Sequence, residues 1–422
     1  MSVFTDKAEI YKYSLTKWAL IGSSLFQEPF TLLFNSLSFI LLKDLGASPF
    51  ELALLVAVKP IAALISFYWS SYVINRKNSL KNNVIISGIL ARIPFLFVPF
   101  FGGVKYLIFA AAMYMLFSRG GIPAWMEILK INFPKQARDK LFSLSYVLAY
   151  IEGIFLSFGI GTALDSHEGA WRSLFCISAL LGLFGVGLQA KVPLLVDREE
   201  EKKEPFSWEK AAGDFWKKII SPWKLSVSLM RTRPDFAKFQ IGFMIGGSSL
   251  MFMMGVLPLF FVEDLGISHR GFSVGRLICM GLGVLLSSSF WTRALRLYSL
   301  NQLAATIIFL FALFPAALLI SKVAISWFYI AYFLYGIAQG GSHVIWHLSG
   351  PTFAGKEDSS LFSGVNLVMV GIRGMIFPFL GSALAVYSGP VPVLVIGMLV
   401  CFYGGYFMMK YNKKEFIRSA EQ

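Results

Sequence analysis

Residues 24–42 read SLFQEPFTLLFNSLSFILL. The stretch is apolar over the length that a helix needs to cross the hydrocarbon of a bilayer, about 20 residues. Glu28 nevertheless lies inside it, next to Pro29. A charge at mid-helix costs about 2.5–3.5 kcal/mol on insertion scales, so Glu28 must face something other than lipid. The other polar residues agree. Ser24, Glu28, Thr31, Asn35 and Ser38 follow one another at steps of 4, 3, 4 and 3, which puts them in one stripe on a helix. The stretch therefore reads as a membrane helix with one wet face. Pro29 weakens the backbone ladder beside the carboxylate and can kink the helix there.

The rest of the chain extends this reading. Its 422 residues are 56% hydrophobic and only 15% charged, against roughly 25% charged in soluble domains. Twelve apolar stretches recur, at about 18–42, 50–74, 82–103, 105–129, 141–165, 171–193, 236–262, 270–297, 300–320, 324–350, 360–387 and 389–410. The expected fold is therefore an all-α membrane protein of twelve transmembrane helices. With the N-terminus inside, the loops on that side collect Arg76, Lys77, Lys81, Lys130, Lys135, Arg138, Lys140, Arg293, Arg296, Lys413 and Lys414. The positive-inside rule then puts both termini in the cytoplasm. It also explains the net charge of +14 without nucleic acid; anionic lipid at the cytoplasmic face is the expected partner of that charge. The expected location is a bacterial inner (plasma) membrane, with the protein a multi-pass monomer and no secretory signal peptide ahead of the first span. Cys176, Cys279 and Cys401 all lie in apolar runs, with neither disulfide nor metal spacing. No ligand cluster, nucleophile set or Gly-rich phosphate loop appears. The sequence thus points away from an enzyme and calls for no metal or cofactor.

The longest polar segment, 194–235, separates an N-terminal bundle (1–193) from a C-terminal bundle with a short tail (236–422). In it, Trp208, Ala212, Phe215, Trp216, Ile219, Ile220 and Trp223 share one helical face, as in a helix lying on the inner membrane surface. The two bundles repeat at a shift of 220 residues. DLGAS at 44–48 recurs as DLGIS at 264–268, Gly120-Gly121 as Gly340-Gly341, and Leu141-Phe142-Ser143 as Leu361-Phe362-Ser363. Each repeat holds six spans, an even number, so the bundles share one topology. A pseudo-two-fold along the membrane normal should relate them.

Six plus six spans, a long central cytoplasmic segment and both ends inside resemble the major facilitator superfamily. Two stretches carry the resemblance further. Ser71-Tyr-Val-Ile-Asn75-Arg76-Lys77 is similar to that family's basic turn after span 2, with asparagine where the family has aspartate. PAWMEILKINFPKQARDKLFS at 123–143 resembles its passage from span 4 into span 5, with Arg138 in the usual place and Arg119 where a span-4 arginine is found. The resemblance implies that spans 1, 4, 7 and 10 line a central cavity.

Inside the spans lie Glu28, Glu127, Glu152, Lys59, Arg92, Arg119, Arg276 and Arg373, with His343 and His347 in span 10. Eight such charges facing lipid would cost about 20–28 kcal/mol, more than the ~5–15 kcal/mol that holds a typical fold. They must face water or one another. The acids all fall in the first repeat, while the second offers arginines and histidines alone. Arginine's planar fork suits carboxylate or phosphate. The residues expected to bind substrate are therefore Arg119, Arg373, Arg276, His343, Asn35 and Trp346. Those expected to carry a proton are Glu28, Glu152 and Glu127. The function expected is secondary active transport of a small organic anion, proton-coupled, by alternating access. The alternatives are an exporter of lipophilic cations, a proton-independent exchanger of anions or phosphate esters, and a non-transporting membrane receptor.

Overall fold

The computed structural model describes residues 7–74, 80–194, 224, 226–295, 297–354 and 359–420. The amphipathic stretch at 208–223 and the Asn75-Arg76-Lys77 turn lie outside them. Among the described residues no strand occurs. The helices are α1 (Lys7–Asn35), α2 (Leu37–Lys43), α3 (Pro49–Ile74), α4 (Leu80–Leu96), α5 (Val104–Asn132), α6 (Lys135–Ser166) and α7 (Ala170–Ala190). After the central segment come α8 (Pro234–Met254), α9 (Leu257–Leu259), α10 (His269–Ser273), α11 (Met280–Ala294), α12 (Leu300–Ile320), α13 (Ser326–Ala354), α14 (Ser359–Ser388) and α15 (Pro390–Ala420). π-Helical turns continue α9 through Phe260–Asp264 and link α10 to α11 through Val274–Cys279. Among the described residues, seven helices are long and apolar enough to cross a membrane, and nine when each of two bent pairs counts as one span.

The chain divides into two compact units: Met1–Leu45 with Ala62–Ser207, and Gly46–Ile61 with Trp208–Gln422. In the first, α1 packs on α6 and α7, and α4 packs on α5 and α7. In the second, α8 packs on α14 and α15, and α12 packs on α13 and α15. These are the same partners displaced by one repeat. The turns obey the same shift. The glycines with positive φ are Gly46 (63°) and Gly266 (60°), and Gly169 (75°) and Gly389 (75°). Left-handed backbone is where only glycine sits without strain, so each repeat is closed by the same two residues in the same conformation.

One expectation is corrected. α1 runs unbroken through Pro29, and the chain bends instead by 42° between α1 and α2, at Ser36. There the Ser36 N–H is shared between the carbonyls of Leu32 and Leu33, and its hydroxyl donates back to Leu32 at 3.2 Å. Such back-bonding opens the helical ladder and bends it. The second repeat bends by 46° at the matching place, between α8 and α9.

The interiors are apolar. Ala19, Leu80, Val84, Ala124, Ile128 and Val192 form a core of the first unit. Phe236, Ala354, Phe362 and Val365 form one of the second.

Candidate functional site

In the first unit two residues of the polar stripe of α1 are satisfied by their own helix. Ser24 donates to the carbonyl of Leu20 at 2.9 Å and Thr31 to that of Gln27 at 3.0 Å. Glu28 remains. It lies against α6, where a Cβ built on Gly153 would come 2.9 Å from its Oε1. It is close enough to feel the like charge of Glu152, whose Oε2 is buried without a hydrogen-bond partner. No described residue forms an ion pair with Glu28. Tyr114 lies beside Thr31, one turn along, and in the fields of Glu28, Arg92 and Arg119. Glu28 and Arg119 thus both lie near a tyrosine that the sequence reading did not single out. Arg92 is buried at 4% exposure; its Nη1 donates to the Gly88 carbonyl at 2.8 Å. Glu127 stands apart, paired with Lys130 at 3.2 Å. Asn35 closes α1 at the bend, half-buried.

In the second unit Arg373 is the most consequential side chain. It extends from α14 onto the backbone of α8, where a Cβ on Gly247 would overlap its Nη1. Nη1 donates to the Phe243 carbonyl at 3.2 Å, and the guanidinium lies 5.3 Å from the centre of the Phe243 ring. Arg373 is 8% exposed, and its Nε has no partner. Among the described residues no carboxylate pairs with it. A carbonyl and a ring face offset only part of what it costs to bury a guanidinium. Phe243 leads on to Trp346 of α13, with ring centres 6.4 Å apart and planes at 30°. One turn before Trp346, the ring of His343 stands 3.2 Å from the side-chain nitrogen of Gln339. Arg276 is held elsewhere in the unit. It sits on the π-helical turn before α11, beside Tyr332 and Tyr335. π-Turns recur at functional sites.

The structure thus brings Glu28, Glu152 and Arg119 into one group, and Arg373 and Trp346 into another through Phe243. Glu127 and Arg276 join neither. Tyr114, Gly153, Phe243 and Gly247 were not picked out as site residues. The repeat held a signal for two of them: a shift of 220 sets Gly153 against Arg373 and Ser23 against Phe243. Equivalent positions with unlike chemistry mark where a fold has been put to use.

Comparisons with known proteins agree on the architecture. The family model of the Major Facilitator Superfamily matches residues 20–378. No curated protein matches the sequence. Among solved structures, the nucleoside transporter NupG superposes with a TM-score of 0.69 at 15% identity, covering 94% of this chain and 98% of its own. A POT family transporter in complex with 5-aminolevulinic acid gives 0.72 at 12%, covering 94% and 96%. A bacterial homologue of the human lysosomal transporter Spinster gives 0.61 at 12%, covering 96% and 99%. At these identities the likeness is one of fold.

Proposed function

Because the chain belongs to the Major Facilitator Superfamily, and is thus a multi-pass membrane transporter rather than an enzyme, we propose that its cargo is a small organic anion moved together with a proton. The observation that carries this is Arg373: a guanidinium nine-tenths buried, held by a carbonyl and a ring, with no carboxylate beside it among the described residues. Such a group is stabilised by the arrival of an anion and by little else at mid-helix. The proton's place is the first unit. Glu28 lies against Gly153 of α6, the neighbour of Glu152, and among the described residues no cation forms an ion pair with either carboxylate, which suits a group that takes up and releases a proton. An anion that travels with a proton also takes less net charge through the low-dielectric layer than one that travels alone. We assign both termini to the cytoplasm, on the distribution of lysine and arginine between loops.

Proteoliposomes holding a pH-sensitive dye test the proposal. Addition of organic anions outside should acidify the lumen. Glu28→Gln combined with Glu152→Gln should abolish the acidification, and Arg373→Gln should abolish the response to the anion. Unchanged acidification in the double glutamine variant would remove proton coupling from the proposal. One observation favours a second reading: with Glu28 unpaired and Glu152 Oε2 unbonded, the acids could serve as ligands of a lipophilic cation. Proton release from the lumen on adding such cations, lost in the double variant and indifferent to Arg373→Gln, would establish it instead.

A further inference from the structure

The internal repeat supplies a control within the molecule. Both units build the same helix junction, α1 on α6 and α8 on α14, so whatever the fold itself requires there should appear twice. The charge does not. In the first unit Glu28 of α1 lies against Gly153 of α6; in the second, Arg373 of α14 lies against Gly247 of α8. The rings do not either. Phe239 and Phe243 of α8 stack at 5.8 Å with planes 10° apart, and Phe243 continues to Trp346. One repeat earlier, those three positions hold Ala19, Ser23 and Met126. The first repeat therefore folds without aromatic side chains at these three positions, and the shared fold alone does not account for the row that runs away from Arg373.

We infer that the anion held by Arg373 carries a flat aromatic ring, which stacks on the Phe243–Trp346 row while its charged group meets the guanidinium. The inference rests on the reading of Arg373 as the anchor of an anionic cargo. Three features fit it. Phe243 and Trp346 are only half-buried, so ring surface remains uncovered beside the charge. The guanidinium already lies over an aromatic face, the geometry in which arginine is most weakly hydrated and most ready to exchange water for a ligand. His343 and Gln339, in contact with each other, lie on the face of α13 that bears Trp346, where polar edge atoms of a ring could be met.

Calorimetric titration of the full chain in lipid nanodiscs distinguishes the outcomes. The probes are benzoate, indole-3-carboxylate and phenyl phosphate against cyclohexanecarboxylate and hexanoate, and only binding lost in Arg373→Gln is counted. The aromatic anions should bind about five-fold more tightly than cyclohexanecarboxylate, as one ring contact predicts. Phe243→Leu and Trp346→Leu should each bring that ratio towards one. Arg373→Lys guards against misfolding of the glutamine variant: it keeps the charge and leaves both rings in place, and should retain hexanoate binding together with the preference for aromatic anions. Equal affinities across the panel would overturn the aromatic inference and leave the anion reading intact. A panel without any Arg373-dependent binding would overturn both.

Discussion

Two glycines decide how the charged side chains stand. Gly247 leaves room for the Arg373 guanidinium, and Gly153 for the Glu28 carboxyl. The consequences of filling them differ. Arg373 is fixed by its bond to the Phe243 carbonyl and by the ring beneath it, so Gly247→Ala must expel it. The expected result is loss of anion binding with about 1–3 kcal/mol of stability, read by titration and thermal unfolding. Glu28 has no such anchor, and Gly153→Ala asks only for a turn of its flexible end. That variant should stay within about 1 kcal/mol of the parent while the pH dependence of transport moves. Equal thermal shifts for the two variants would contradict this account. The notion that Glu28 merely balances Lys59 or Arg119 finds no support among the described ion pairs. Those found, Lys43–Asp165, Lys130–Glu127, Arg233–Asp235 and Lys322–Asp264, sit towards helix ends.

At the scale of helices, lipid gives no hydrophobic drive to association, and close backbone contact takes its place. α11 and α13 illustrate this. A Cβ on Gly336 would overlap the Met280 carbonyl, and one on Gly283 would overlap the Phe333 carbonyl. Backbone cannot swing aside as a side-chain tip does. Gly336→Ala should therefore part the two helices and destabilise the second unit by about 2–3 kcal/mol, or more. The measurement is thermal unfolding followed by tryptophan emission, Trp291 being buried in this unit and donating its ring N–H to the Ile337 carbonyl at 2.9 Å. Retention of the parent's unfolding temperature would show that the contact is looser than described. The bends between α1 and α2 and between α8 and α9 belong to this scale too. In the first repeat the bend comes with the shared N–H of Ser36, not with Pro29, through which α1 runs unbroken.

For the whole molecule, the division of labour between repeats makes one further prediction. If a carboxyl in the first unit carries the proton and a guanidinium in the second carries the anion, the two loads separate genetically. Glu28→Gln should lose accumulation driven by a pH gradient yet keep exchange of labelled for unlabelled anion. Arg373→Gln should lose both. An exchange defect in Glu28→Gln equal to its accumulation defect would mean that the carboxyl binds cargo rather than protons.

How much of this was legible in the residues follows from the range of each interaction. Hydropathy and span length are properties of a contiguous stretch, so the helices fall where apolar runs of about 20 residues placed them. The repeat was legible for the same reason: DLGAS and DLGIS each encode a turn locally, and Gly46 and Gly266 duly take the same left-handed conformation. In the stripe of α1, Ser24 and Thr31 bond carbonyls of their own helix, which the spacing of the residues does not reveal. The sequence by itself determined an all-helical membrane chain, doubled, with charges that hydrocarbon cannot hold. Only the tertiary structure decided which charges meet. Glu28 came to Glu152 rather than to a cation, Arg373 to Phe243 and Gly247, and Glu127 to its own neighbour Lys130. Those pairings depend on the rotation of each helix about its axis and on where two helices cross, and no single stretch of residues sets either.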